Sequence, residues 1–207
     1  MADAGRVIAG TARSIRLEAP GPGTRPLGDR VKQTLFAILE PDLPGAEFLD
    51  LFAGSGAAGI EALSRGAAHA TFVERDARTI QVIHRNLERT GFSNVGRAKI
   101  IQTDAVAWLR DHEDIFDLAL IDPPYDEPAT LVVALEAIGP RLAESGRAVA
   151  KHFWRDAPPP VIGLLASERE RRFGETGLTF YRRRDAVGHE RRTEPRRDAV
   201  AGSTEGA

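Results

Sequence analysis

Asp122-Pro123-Pro124-Tyr125 is the stretch of this chain best equipped for chemistry. It follows an apolar run, residues 116–121, that reads as a buried strand. Two prolines stop that strand and stiffen its exit. A carboxylate and an aromatic ring are then held at the carboxyl end of a strand, where open α/β sheets bind ligands. The group such a turn can grip is an exocyclic amine on a flat base. That amine is a poor nucleophile, because its lone pair is delocalised into the ring. Asp122 and the backbone carbonyl of Pro123 can accept its N–H groups, draw the nitrogen toward sp³ and aim the lone pair at an electrophile. Tyr125 can stack on the base, worth about 1–3 kcal/mol. In a duplex or structured RNA the base must first be unstacked or flipped. The plain alternative is a strand-ending turn with an incidental aspartate.

A second motif lies upstream. Gly54-Ser55-Gly56-Ala57-Ala58-Gly59 is a G-x-G-x-x-G between a predicted strand, 48–52, and a predicted helix, 57–65. Glycines let the backbone turn tightly and approach a ligand. Glu74 ends the next strand, twenty positions after Gly54. Its carboxylate can accept hydrogen bonds from both ribose hydroxyls of an adenosine cofactor. Phe52, Gly54, Ser55 and Gly56 are expected at the same site. NAD and S-adenosylmethionine (SAM) both carry adenosine, so the loop alone serves either. Two details favour SAM. Asp50, in the strand before the loop, can orient the loop or the amino group of a methionine. The chain also shows no second mononucleotide half after its fifth strand. Asp104 ends the third strand and can accept from the adenine amino group. It can equally cap the helix that follows. No metal is expected: the chain has no cysteine, and none of its five histidines has ligand spacing.

These residues need a frame. From residue 48 onward, β-prone runs (48–52, 70–74, 98–101, 116–121, 147–153) alternate with helical ones (57–65, 77–89, 105–112, 130–138). That alternation predicts a parallel, doubly wound sheet. Two further β-prone runs, 169–173 and 178–183, flank a Gly-containing turn and predict an antiparallel hairpin closing the sheet edge. A helix is expected over 29–39. Before it lies a small predicted hairpin: residues 6–9, a turn at Gly10, then 14–17. The expected organisation is residues 1–27 as hairpin and loop, 28–184 as the catalytic domain, and 185–207 as a charged, disordered tail.

The 207 residues suit one sizeable domain, and 42% apolar content fits a globular protein. No apolar run is long enough for a membrane span, and no signal peptide is read at the start. Lack of cysteine is compatible with a reducing cytosol, so a cytoplasmic location is expected. The net charge of −2 restricts any nucleic-acid contact to local patches. Arg6, Arg13, Arg16, Arg25, Arg30 and Lys32 form such a patch, either for phosphates or as a solvated face. The cofactor loop begins after Phe52, so this segment is expected to act on RNA rather than on the cofactor. Arg182, Arg183 and Arg184 either extend the patch or end the sheet in solvent. Trp108 is expected in the core, and Trp154 either packs or walls the substrate pocket.

The chain resembles the RsmD-type 16S ribosomal RNA guanine-N2 methyltransferases. The matching segments are Arg6-Val7-Ile8-Ala9-Gly10, Thr24-Arg25-Pro26 with Asp29-Arg30-Val31, and Leu35-Phe36. They continue through Leu49-Asp50-Leu51-Phe52-Ala53-Gly54-Ser55-Gly56, Glu61-Ala62-Leu63-Ser64-Arg65-Gly66-Ala67 and Val73-Glu74-Arg75-Asp76. Asp122 to Tyr125 and Arg172-Phe173-Gly174-Glu175-Thr176 complete the set, which spans about residues 5 to 184. The resemblance implies a Rossmann-like SAM methyltransferase fold with an RNA-contacting N-terminal hairpin. It implies guanine N2 in the head of the small subunit (guanine 966 in the usual RNA numbering), within 16S RNA or a 30S particle, and a monomer. Arg6, Arg25, Arg30 and Tyr125 are the expected substrate contacts. Three departures fall on substrate-side positions. The family has Arg-Pro-Thr where this chain has Arg25-Pro26-Leu27. It often has an acidic residue in place of Gln33, and another near Lys151-His152. Two other functions stay open: adenine-N6 methylation of DNA or RNA, and a SAM-binding assembly factor without turnover.

Overall fold

The computed structural model describes residues 3–21, 27–93, 96–125 and 127–184. The chain enters through a short antiparallel ladder, β1 (Asp3–Arg6) against β2 (Arg16–Glu18), followed by α1 (Asp29–Leu39). Regular alternation then begins: β3 (Glu47–Leu51), α2 (Ala57–Ser64), β4 (His69–Glu74), α3 (Ala77–Thr90) and β5 (Ala98–Gln102). It continues with α4 (Ala105–Asp111), β6 (Phe116–Ile121), α5 (Pro128–Ile138) and β7 (Leu142–Phe153). Three strands complete the sheet: β8 (Val161–Ile162), β9 (Leu165–Phe173) and β10 (Thr176–Arg183). Their order is β5-β4-β3-β6-β7-β10-β9-β8. The five strands from β5 to β7 run parallel, and β10 joins β7 antiparallel. The expected α/β architecture is therefore present, with the C-terminal hairpin closing one edge. No helix among the described residues is long and apolar enough to cross a membrane.

Period-two alternation sends apolar side chains to both faces of the sheet. Phe48, Phe72, Leu118 and Leu120 pack with α1, α2, α3 and the N-terminal hairpin. Leu49, Leu51, Ala119 and Ile121 pack with α4 and α5 on the other face. Helix α2 is buried along its whole length, which its small residues permit. A Cβ at Gly59 would lie 2.3 Å from the Phe72 ring, so this glycine sets how closely α2 approaches β4. Asp76 starts α3 by accepting from Thr79 N at 2.7 Å.

The N-terminal hairpin differs from its expected register. Val7 still pairs across the hairpin, its N donating to the Ile15 carbonyl at 2.9 Å, but the strand does not continue because the amides of Ile8 and Ala9 have another acceptor. Glu61, wholly buried on α2, accepts from Ile8 N at 2.7 Å and Ala9 N at 3.0 Å. Thr11 N donates to the Ser64 carbonyl at 2.9 Å, and Ala12 N donates to Ser64 Oγ at 2.9 Å. The loop around Gly10 is thus docked on the C-terminal end of α2. Two of the segments that carry the family resemblance, Arg6 to Gly10 and Glu61 to Ala67, meet here. Strand β7 also begins earlier than predicted. It gains Leu142 opposite Phe116, with an irregularity before Arg147 pairs with Leu118. The run Glu144-Ser145-Gly146 at that irregularity hides the strand from an apolar pattern.

Candidate active site at the switch point of the sheet

The chain runs outward from β3 through β4 to β5, then crosses back to place β6 on the other side of β3. The crevice beyond the carboxyl ends of β3 and β6 is the topological switch point, where such sheets bind ligands. A cavity of about 940 Å³ opens there. Ligand pockets span about 300–1,000 Å³, so this one has room for a nucleoside cofactor and part of a substrate. Asp50, Phe52, Gly54, Ser55, Glu74, Asp104, Asp122, Pro123 and Tyr125 all line it. These residues come together at one cavity from four separate segments of the sequence.

The cofactor-side residues first hold the loop. Asp50 Oδ2 accepts from Gly59 N at 2.8 Å, which fixes the first turns of α2 against β3. The carboxyl is buried, and that burial pushes its pKa up to about 7, with help from the charges of Asp122 and Glu74; the Gly59 bond works against the rise. Phe52 takes a left-handed conformation, φ 68°, and so turns the chain out of β3. Glu74 accepts from Gly54 N at 3.0 Å through one oxygen and from Asp76 N at 3.0 Å through the other. Each oxygen keeps a further lone pair for a ribose hydroxyl. Asp104 caps α4, accepting from Ala107 N at 2.9 Å, so its helix-capping role is realised at the cavity wall. Gly56 does not line the cavity. It is the left-handed cap of α2, packed under Ile83 and Phe72.

The wall that carries Asp122 and Tyr125 is built on the β6–β7 register. Ile121 pairs with Ala150, so the next residue on each strand, Asp122 and Lys151, emerges side by side. Lys151 Nζ donates to both oxygens of Asp122, at 2.6 and 2.9 Å. It also lies 4.8 Å from the centre of the Tyr125 ring, within cation–π range. Burial disfavours the Lys151 ammonium, but the Asp122 carboxylate outweighs it and holds the pKa above its usual value. Burial pushes the Asp122 carboxyl up as well, and the lysine limits that rise. The Tyr125 hydroxyl pairs with Thr176 Oγ1 at 3.0 Å, tying the turn to the first residue of β10. Beside that contact, Trp154 stands half-buried between two guanidinium groups. Arg172 lies 3.5 Å and Arg155 4.9 Å from its ring centre. Trp108 is in the core, as expected, packed near Phe116.

The N-terminal basic residues divide. Arg6 is exposed and pairs with Asp29 at 3.3 Å, and Arg30 is exposed on α1. Arg25 lies outside the described residues. Lys32 does not belong to a phosphate-facing patch: it is fully buried, and its Nζ donates to the Arg6 carbonyl at 2.5 Å. Burial holds its pKa below the usual lysine value. Arg182 pairs with Glu168 at 2.8 Å. The segment is also not remote from the cofactor loop, because Ala4, Ala19, Pro20 and Leu27 line the same cavity. Lys151 is the important residue that the motif reading did not place at the site. Its signal lay in strand pairing, through the position that follows the partner of Ile121.

Comparison with known proteins agrees with this geometry. The family described as Conserved hypothetical protein 95 matches residues 5–182. Ribosomal RNA small subunit methyltransferase D of Escherichia coli (strain K12) is 40% identical over 184 residues, 86% of this chain and 89% of that one. The chain belongs to this family. YlbH of Bacillus subtilis (strain 168) is another relative, 38% identical over 185 residues, 86% of this chain and 99% of its own. Among solved structures, yhhF from Escherichia coli superposes with a TM-score of 0.75 at 32% identity, covering 86% and 97% of the two chains. An RNA methyltransferase from Salinibacter ruber in complex with S-adenosyl-L-homocysteine shares the fold, with a TM-score of 0.61 at 13% identity over 80% of this chain and 98% of that one. The chain thus has the Rossmann-like fold of the methyltransferases.

Proposed function

We propose that this protein transfers the methyl group of SAM to the exocyclic N2 amine of a guanine in 16S ribosomal RNA, the guanine 966 type. One observation carries the reading: a single cavity joins Asp50 and the ribose-type acceptor Glu74 to the Asp122–Tyr125 turn, which is suited to an exocyclic amine. An NAD-dependent enzyme would have no use for that turn. SAM would supply an electrophilic methyl on a sulfonium. Glu74 would accept from the ribose, Asp104 would accept from the adenine amine, and Asp50 would orient the loop or the methionine ammonium. Asp122 and the Pro123 carbonyl would accept from the guanine amine while Tyr125 stacks on the ring.

The rRNA substrate follows from the family, since its Escherichia coli member is named for the small subunit. Arg6, Arg25 and Arg30 are assigned to phosphates, residues 1–27 to RNA contact and 28–184 to catalysis. The working unit is a monomer on 16S RNA or a 30S particle in the cytoplasm. The deciding experiment is mass mapping of methylated nucleotides in 16S RNA from cells with and without this protein, backed by methyl transfer to purified 30S subunits, free 16S RNA and duplex DNA. Loss of one N2-methylguanine on deletion is the expected result. A missing N6-methyladenine, or methyl transfer to DNA alone, would replace the substrate assignment.

A further inference from the structure

The Asp122–Lys151 pair has a consequence for the reaction that the tetrapeptide alone does not contain. The Lys151 side chain is 7% exposed and that of Asp122 is 20% exposed. A buried lysine loses hydration and conformational freedom, and it stays only where its charge is matched. Here both carboxylate oxygens receive it, and the Tyr125 ring closes one side. The pair is therefore braced from three elements: β6 before Asp122, β7 under Lys151, and β10 through Thr176 and Tyr125. Two short donor contacts leave one lone pair on each carboxylate oxygen free.

We propose that Lys151 is a positioning residue for methyl transfer, fixing the plane of the Asp122 carboxylate and balancing its charge so that its free lone pairs face the amine of the target base. The proposal rests on the amino-methyltransferase reading given above. In the step itself, the amine lone pair forms the N–CH3 bond. The S–CH3 bond breaks, with its electron pair left on sulfur as a neutral thioether. The proton released by the amine passes by way of Asp122 to water. An unbraced carboxylate could rotate or take a proton from solvent before the base arrives, and it would then fail as an acceptor. The titratable side chains that line the cavity with this pair, among the described residues, are Asp50, Glu74, Arg75, Asp76, Asp104, Tyr125 and Glu127. His152 follows Lys151 on β7, but its Nε2 pairs with Thr179 Oγ1 at 2.9 Å.

The test uses the full chain with Lys151→Met and Lys151→Arg. The first readout needs no substrate: carboxyl-carbon NMR titration of Asp122 in the free protein. Lys151→Met should move the midpoint upward by about one pH unit or more, and Lys151→Arg should restore it. The second readout is kinetic, on whichever RNA the wild type methylates. Lys151→Met should lower kcat by roughly tenfold to a hundredfold, with KM for RNA and Kd for SAM within about twofold, and the acid limb of the kcat profile should move to higher pH. Lys151→Arg should recover most of kcat. Thermal melts identify unfolded variants, and for these Lys151→Gln is substituted. An unchanged Asp122 midpoint, or wild-type kcat and pH profile in folded Lys151→Met, overturns the proposal. So does a Lys151→Arg variant as slow as Lys151→Met. A wild type inactive on every nucleic acid would overturn the functional reading instead, while the NMR midpoint would still report on the pair.

Discussion

At the scale of single residues, the cavity separates two aspartates by environment. Burial raises both carboxyls; a lysine opposes the rise at Asp122 and a backbone amide opposes it at Asp50. Folding raises the Asp50 carboxyl from an ordinary 3.8 to about 7. The native protein therefore holds a proton that the unfolded chain has already released between those limits. The stability this gives is fully present below about pH 4 and is lost as pH rises through 7. The swing is on the order of 4 kcal/mol at most. Urea unfolding between pH 4.5 and 7.5 should show that falling limb, and Asp50→Asn should flatten it. Calorimetry at pH 6 in buffers of different ionisation enthalpy should show proton release on SAM binding if a cation meets Asp50, and none in Asp50→Asn. For Asp122→Ala, SAM affinity should change little while turnover falls a hundredfold or more. Wild-type rates in that variant would remove the acceptor role. Tyr125→Phe should keep most activity, because its hydroxyl is engaged with Thr176 rather than aimed at a base.

At the scale of elements, docking of the Gly10 loop on α2 is the contact most open to test. A Cβ at Gly10 would lie 1.8 Å from the Ser64 carbonyl oxygen, with φ at 83°. Gly10→Ala should therefore lift the loop, and the amides of Ile8, Ala9, Thr11 and Ala12 should exchange about tenfold faster or more. Glu61→Ala should cost on the order of 1–3 kcal/mol in denaturant unfolding, since two amides lose their acceptor while Arg65 keeps its pairing with Glu40. Equal exchange rates in wild type and Gly10→Ala would mean the loop tolerates the added methyl. This contact also marks the limit of what the sequence could tell. The alternation from β3 to β7 was legible because each element buries its own apolar pattern. Asp122 and Gly54 were legible because local signals end the strands before them. Glu61 as partner of Ile8, and Lys151 as partner of Asp122, depend on tertiary docking and on strand register, which no local window holds. Lys32 was misread for the same reason: a basic side chain near other basic ones looks solvated until the fold covers it.

At the scale of the whole molecule, the N-terminal arm is both a wall of the cavity and the carrier of the basic residues assigned to RNA. Phosphate contacts give affinity that falls with salt, with a log–log slope of about −0.7 to −0.9 per contact. Arg25→Ala with Arg30→Ala should weaken RNA binding and flatten that slope, while a thermal melt stays close to wild type. Unchanged methylation of 30S subunits across the salt range would take the arm out of RNA recognition. The sheet itself carries a different consequence. The last strand in chain order among the described residues, β10, is not at the edge: it lies between β7 and β9. A growing chain therefore presents the flank of β7 unpaired until residues 176–183 are made, and an open strand flank invites pairing with other chains. Thr176, the hydroxyl partner of Tyr125, arrives on that same strand. Synthesis thus completes the sheet and the tether of the Asp122–Tyr125 turn in one closing event, and a chain cut short before β10 should be prone to aggregate and should leave Tyr125 without its tether.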